Sequence, residues 1–217
     1  MTAVLQPEMD CALCPRLVEF RTQNQSKYPD FHNAPVQSFG TLDARLLIIG
    51  LAPGLKGANQ TGRPFTGDFA GDLLYATLLK FGFAEGRYGA QPNDGLRLVD
   101  CRVTNAVRCV PPENKPVGAE VAACRPFLQS EIAAMTNLCA VVALGGLGHN
   151  AFLAGLEVKK SAYPFAHCAV HEVATGGRVL TLTDSYHCSR YNTNTGRLTT
   201  AMFEAVFASV RLTLDSQ

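Results

Sequence analysis

The sequence predicts an α/β fold with a mainly parallel sheet covered by helices on both faces. Two observations carry that prediction. Short apolar runs alternate along the chain with stretches of helical spacing, the order of successive βαβ units. The glycine-rich and polar clusters at 50–68, 104–109, 145–150 and 184–197 each lie at or just after the end of an apolar run. Ligands of open α/β sheets bind beyond the carboxyl ends of the strands, so these four loops converge on one edge, where the site is expected.

Arg45–Leu51 reads as a buried strand, because Leu46-Leu47-Ile48-Ile49 is a short apolar run stopped by Gly50. Asp68–Phe81 reads as helix, with Ala70, Leu74, Leu78 and Phe81 at helical spacing, Asp68 as N-cap and Gly82 as stop. Leu96–Arg108 offers a second strand, and Val117–Met135 a helix interrupted or restarted at Pro126. Ala140–Gly146 is a third strand, followed by a helix from about Gly148 to Leu156. Arg178–Thr183 is a fourth strand. Leu198–Leu212 is a closing amphipathic helix that turns Met202, Phe203, Val206, Phe207 and Val210 inward. Glu85–Gly95 is expected to be a long surface loop away from the functional edge. No internal repeat or low-complexity stretch interrupts this order.

A chain of 217 residues has room for one large α/β domain or two small ones. With 47% apolar and 17% charged residues it builds a substantial core. The net charge of +1 gives no global field toward nucleic acid or membrane, and leaves binding to local patches. No apolar run reaches the length of a membrane span. Glu8 and Asp10 stand where a signal peptide would need an apolar segment, so the expected address is cytoplasmic.

Eight cysteines in a reducing compartment are not read as four disulfides. Cys11-Ala12-Leu13-Cys14 has the spacing that turns two sulfurs toward one metal. Cys109 and Cys124 complete a set of four thiolates, enough for tetrahedral zinc or a cubane iron–sulfur cluster, and spacing does not separate the two. Cys101, Cys139, Cys168 and Cys188 read as structural.

The loop from Gly50 to Asp68 invites a phosphate reading, yet it lacks the Lys-Ser/Thr ending of a P-loop and its helix begins too late for a dinucleotide fingerprint. Phe65 on such a rigid loop can stack on a flat ligand such as a nucleobase. Asp68 is the loop's one carboxylate, able to cap the helix or to position a water. Asn105, at the second strand's end, carries the donor and acceptor that read a base edge. His187 heads the fourth loop as a candidate hydrogen-bond donor.

Together these residues resemble the uracil-DNA glycosylase superfamily, specifically the iron–sulfur type B or family 5 enzymes. The carriers are Gly50-Leu51-Ala52-Pro53-Gly54 with Gly57-Ala58-Asn59, then Thr61-Gly62-Arg63-Pro64-Phe65-Thr66-Gly67-Asp68. Thr104-Asn105-Ala106-Val107-Arg108-Cys109 and the His187 loop ending Asn194-Thr195-Gly196-Arg197-Leu198 match as well. The similarity runs from Cys11 to the last helix, so residues 1–217 are expected to form a single domain.

The resemblance implies a three-layer α/β/α sandwich around a four-stranded, mainly parallel sheet. It also implies a 4Fe-4S cluster, in preference to zinc, held by Cys11, Cys14, Cys109 and Cys124. The implied partner is double-stranded DNA containing deaminated bases, and the enzyme is expected to act as a monomer without membrane association. It would flip the damaged base into a pocket and hydrolyse its N-glycosidic bond, leaving an abasic site. Gly54, Phe65, Asn105 and His187 would bind the base, and Asp68, His187 and Asn105 would carry the chemistry. Lys56, Asn59, Arg63, Ser189, Arg190, Tyr191, Asn194 and Arg197 would contact DNA.

Three positions depart from the family pattern. Lys56 stands where His is common, Gln60 where Arg is common, and Cys188 where Pro is usual. Related families also carry an acidic or amide residue just after the first glycine of this motif, where this chain has Leu51 and Ala52, which transfers the water-activating role to Asp68. The resulting pocket is less polar, and the type B resemblance implies tolerance of purine lesions such as hypoxanthine and xanthine beside uracil. With no lysine in a nucleophilic position, the expected enzyme is monofunctional. A non-catalytic, metal-containing module that binds damaged or single-stranded DNA is the competing reading, motivated by the missing carboxylate.

Overall fold

The computed structural model describes residues 4–216; residues 1–3 and 217, the ends of the expected 1–217 domain, lie outside the described residues. Helix α1 (Pro15–Lys27) comes first, followed by strand β1 (Leu46–Gly50), the one-turn α2 (Ala58–Thr61) and α3 (Phe69–Lys80). A small antiparallel pair, β2 (Ala84–Glu85) and β3 (Arg97–Leu98), precedes β4 (Cys101–Asn105). Next come α4 (Gly118–Ala134), β5 (Ala140–Leu144) and α5 (Gly146–Gly155). The chain closes with β6 (Val170–Thr175), β7 (Arg178–Ser185), α6 (Arg190–Asn194) and α7 (Thr200–Asp215).

The main sheet has the order β4-β1-β5-β7-β6. The first four strands run parallel, as the sequence predicts, and β6 adds a fifth, antiparallel to β7. The expectation of four strands is thus corrected to five. Only Val173 of β6 is buried, so the strand has no apolar run to announce it. Its turn does carry a signal: Gly176 and Gly177 both have positive φ (53° and 80°), as a two-residue hairpin loop requires.

Side chains of the buried strands alternate between two cores. Leu46, Ile48, Val103 and Val142 meet α3 and α7 through Leu74, Leu78, Phe203 and Phe207. Leu47, Ile49, Val141 and Ala143 meet α4 and α5 through Leu128, Ile132, Phe152 and Leu153. Burial on both faces is why these strands read as continuous apolar runs instead of alternating ones. Among the described residues no helix is long and apolar enough to cross a membrane.

Several boundaries move for identifiable reasons. Leu96–Arg108 is not one strand, because Asp100 (φ +51°) breaks it and its carboxylate accepts hydrogen bonds from the Arg45 backbone and guanidinium at 2.7 and 2.8 Å. Helix α4 runs unbroken through Pro126, because Cys124, Phe127, Leu128, Glu131 and Ile132 are buried on either side of it. Helix α1 escapes apolar periodicity because two of its three buried positions are the polar Arg21 and Asn24.

Beneath the end of β4 lies a buried charge cluster. Glu131 accepts from Arg102 Nε at 2.5 Å, from Arg108 at 2.6 Å and from Thr104 Oγ1 at 3.0 Å. Arg108 also donates to Ser38 Oγ at 2.5 Å. Two guanidinium groups hold the Glu131 pKa below the usual carboxylate range against the opposing effect of burial. The cluster ties the segment carrying Asn105 and Cys109 to α4.

Candidate base-binding site

Gly50 and Asn105 are paired at the carboxyl ends of neighbouring strands β1 and β4. A side chain on Gly50 would come within 2.4 Å of Phe65 Cζ and 2.5 Å of Asn105 Oδ1, so its bare backbone is what lets ring and amide converge. Around them lies a pocket of about 40 Å³, lined by Ala52, Gly54, Ala58, Phe65, Asp68, Ala70, Asn105 and His187. All four side chains that the sequence singles out for chemistry or base contact line it. The Asn105 side chain is buried and its Oδ1 accepts no hydrogen bond within the protein. A buried, unpaired acceptor is costly unless a ligand donor meets it.

Asp68 divides its two oxygens between tasks. Oδ1 accepts from Gly71 N–H at 3.1 Å and caps α3. Oδ2 points at the Gly54–Gly57 turn, where a Cβ on Gly57 would fall 2.3 Å from it and one on Gly54 3.0 Å. Capping and a role in the pocket are therefore compatible. Burial raises the Asp68 pKa, only partly offset by the backbone N–H groups of Gly71 and Ala70. The His187 ring lies 6.0 Å from that of Phe65, at 27° to it. Burial pushes its pKa down to about 4, so at neutral pH it is an uncharged imidazole able to donate one proton. Cys188, where the family pattern has Pro, is wholly buried in the core beneath this loop, its sulfur near the Ala70 carbonyl.

The four cysteines gather at a neighbouring corner. Cys109 and Cys124 are buried with Leu17, Val107 and Phe127, and Cys14 packs against them. Arg21 donates to the Cys11 carbonyl at 3.0 Å, tying the N-terminal segment down. Burial pushes the Cys14 thiol up to about 11 and the Cys109 thiol up to about 12, and neighbouring thiols of the set add to both shifts. Cys124 is likewise raised by burial, with Arg108 opposing. Among the described residues no three His, Cys, Asp or Glu side chains form a ready-made metal-binding group. The chemistry of the donor set nonetheless fits a thiolate-ligated metal centre: Cys14, Cys109 and Cys124 resist ionisation, an opposition that a bound cation would offset.

A larger cleft of about 510 Å³ lies elsewhere, among Gln129, Leu156, Glu157 and Arg178. Its guanidinium is already spent on the Met135 and Ile132 carbonyls at 2.9 and 2.8 Å. Size alone therefore does not mark the site; convergent, unpaired polar groups do.

Residues 37–211 match the family described as the Uracil DNA glycosylase superfamily. The chain is 42% identical over 214 residues to the type-5 uracil-DNA glycosylase of Thermus thermophilus, covering 96% of each protein. It is 39% identical to the type-5 enzyme of Mycobacterium leprae, covering 93% of this chain and 90% of that protein. The chain belongs to the uracil-DNA glycosylase superfamily. A type-4 uracil-DNA glycosylase of Thermotoga maritima is 36% identical over 120 residues, 55% of this chain and 54% of that protein.

Within this superfamily member, two expected DNA contacts need correction. The Arg63 guanidinium is buried in an ion pair with Asp94 at 2.7 Å, and Asn59 is buried with its amide donating to Asn33 Oδ1 at 2.9 Å. Neither side chain is free to meet a phosphate. Ser189 spends its hydroxyl capping α6, accepting from Asn192 N–H at 3.4 Å. Lys56, Arg190, Tyr191, Asn194 and Arg197 are exposed, with Arg190 over the Phe69 ring at 5.5 Å and Arg197 over Tyr186 at 4.5 Å. The Glu85–Gly95 loop is not remote, because Tyr88 and Asp94 reach back to the Phe65 wall. Its signal was charge complementarity with Arg63, invisible without a fold.

Proposed function

We propose that this protein is a monofunctional DNA glycosylase that removes uracil, and deaminated purines such as hypoxanthine and xanthine, from double-stranded DNA. The observation that carries this reading is the buried, unpaired Asn105 Oδ1 facing a pocket walled by Phe65 and His187. Uracil offers an N3–H donor to such an acceptor and a flat face to Phe65. Neutral His187 donates to the base oxygen on which negative charge grows as the N-glycosidic bond breaks and its electron pair leaves with the base. The ionised Asp68 stabilises the cationic sugar and takes a proton from the water that adds to it. With Leu51 and Ala52 apolar, that task falls to Asp68, and the place of its carboxylate in the pocket wall supports the catalytic reading over a module that only binds. The residues lining the pocket include no lysine for a Schiff base, which supports simple hydrolysis.

Cys11, Cys14, Cys109 and Cys124 would hold a 4Fe-4S cluster, which would cross-link the N-terminal segment to the β4 end and α4 and would take no part in base release. The exposed Arg190, Tyr191, Asn194 and Arg197, with Lys56, would meet the DNA backbone and the gap left by the flipped base. The test is incubation with labelled duplexes bearing uracil or hypoxanthine, followed by alkaline cleavage of abasic sites. Strand breaks at the lesion are expected, and none above the undamaged control across the panel would sink the proposal.

A further inference from the structure

Phe65 has a φ of +52°, a conformation that a bulky residue adopts only where its surroundings impose it. Those surroundings form a connected assembly. The Phe65 carbonyl packs against α3 at Gly71, where a Cβ would lie 1.7 Å from its oxygen. The Tyr88 hydroxyl lies 3.4 Å from the same oxygen and accepts from Gly67 N–H at 3.4 Å. On the other side, the Pro64 carbonyl accepts from Tyr75 Oη at 2.6 Å and from Thr66 Oγ1 at 3.1 Å. Thr66 Oγ1 in turn accepts from Arg63 Nε at 2.8 Å.

The Arg63 guanidinium lies within 5.1, 5.5 and 5.9 Å of the Phe39, Tyr75 and Tyr88 rings. Its outer nitrogens make a two-pronged pair with Asp94 at 2.8 and 2.7 Å. Asp94 also accepts from Gly89 N–H at 2.8 Å and Leu96 N–H at 3.0 Å, so the carboxylate is itself fixed by its own loop. A fork-to-fork pair in an aromatic cage fixes direction as well as distance.

We propose that Asp94, Arg63 and Tyr88 are positioning residues: a latch from the β2–β3 loop that holds Phe65 in the strained backbone conformation that aims its ring into the base pocket. This rests on the reading of Phe65 as the stacking face. The latch explains why a buried ion pair stands here, since such pairs add little stability over apolar packing but do fix geometry. It also joins a loop that lines no part of the pocket to the choice and speed of base capture.

The experiment is single-turnover uracil release, with saturating full-length enzyme, from a duplex with uracil opposite guanine. The variants are Phe65→Ala, Asp94→Asn, Tyr88→Phe and the double variants that add each latch change to Phe65→Ala, each with a thermal melt and a DNA-affinity measurement. Phe65→Ala should slow release about 5–100-fold, the range set by one base–aromatic stack. Asp94→Asn should lose a similar factor in rate with little change in DNA affinity. Tyr88→Phe should lose about 2–5-fold, as for one neutral hydrogen bond. In the Phe65→Ala background each latch change should cost less than about 2-fold, because there is no ring left to aim. Losses that multiply in the double variants, or latch variants that release at the wild-type rate, overturn the latch alone. Should Asp94→Asn fail to fold, Tyr88→Phe decides by the same criterion. A wild-type rate for Phe65→Ala removes the stacking role itself, and the latch with it.

Discussion

The base pocket and the cysteine corner grow from the same short segment, one at Asn105 and the other at Cys109, yet they are held together by different means. The pocket is made by omission and strain: Gly50, Gly54 and Gly57 give up side chains so that Phe65, Asn105 and Asp68 can approach one another, and Phe65 is forced to positive φ. The backbone around Phe65 is braced from within the chain, while Asn105 Oδ1 is left unpaired. The corner instead gathers cysteines, and at Cys14, Cys109 and Cys124 burial and neighbouring charge oppose the ionised form that a metal would require. The difference teaches that one strand end can carry two clusters held by opposite physics, a strained polar pocket and a buried set of thiols. Changes on the pocket side should cost rate, and changes on the corner should cost stability and DNA binding.

The largest expected effects lie in the pocket. Asp68→Asn should lower single-turnover base release about 10²–10⁴-fold, the usual contribution of a general base, and His187→Ala about 10²–10³-fold, that of one donor to a developing oxyanion. DNA affinity should stay within a small factor. The pH dependence gives a second handle. Because burial raises the Asp68 pKa, the acid limb of the wild-type rate should lie above the ordinary carboxylate value of 3.8, and Asp68→Asn should abolish that limb. For stability the signs differ. His187 is depressed from 6.5 to about 4, so the unfolded chain protonates first and the histidine's contribution is lost as pH falls through that window. His187→Gln should remove that component from melts recorded across it.

A smaller loss, about 10–100-fold, is expected for Gly57→Ala, whose Cβ would push Asp68 Oδ2 away from its seat. Melting temperature should change little, and a wild-type rate would show that the position of Oδ2 does not matter. On the corner, Cys109→Ser should cost about 2–4 kcal/mol in stability and bleach any broad visible absorbance before it touches the rate of bound enzyme. A stable, tightly binding but inactive variant would reverse the division of labour. Smallest of all, Arg197→Ala should reduce the salt slope of DNA binding by about 1 with little effect on the chemical step, as for one phosphate contact.

Much of this arrangement was legible in the sequence because it rests on signals confined to a few adjacent residues. The apolar run Leu46–Ile49, the helical spacing after Asp68 and the polar clusters after strands located the functional edge. The glycine-rich motif, Asn105 and His187 pointed to the family, and residues 37–211 carry that identity. What stayed hidden depends on partners distant in the chain. Arg63 looked like a DNA contact because nothing in its motif reveals that Asp94, in a loop beyond α3, will neutralise it. The burial of Asn59 is hidden for the same reason, its partner Asn33 lying in a segment without periodicity. Strand β6 and helix α1 bury too few apolar residues to leave a pattern.

The most direct measurement is the rate of uracil release from a duplex with uracil opposite guanine, recorded for the wild type and for Asp68→Asn across pH. The account predicts free uracil and an abasic strand from the wild type, with an acid limb that disappears along with most of the rate in the variant. No free base from the wild type, or equal rates and profiles from both proteins, would contradict it.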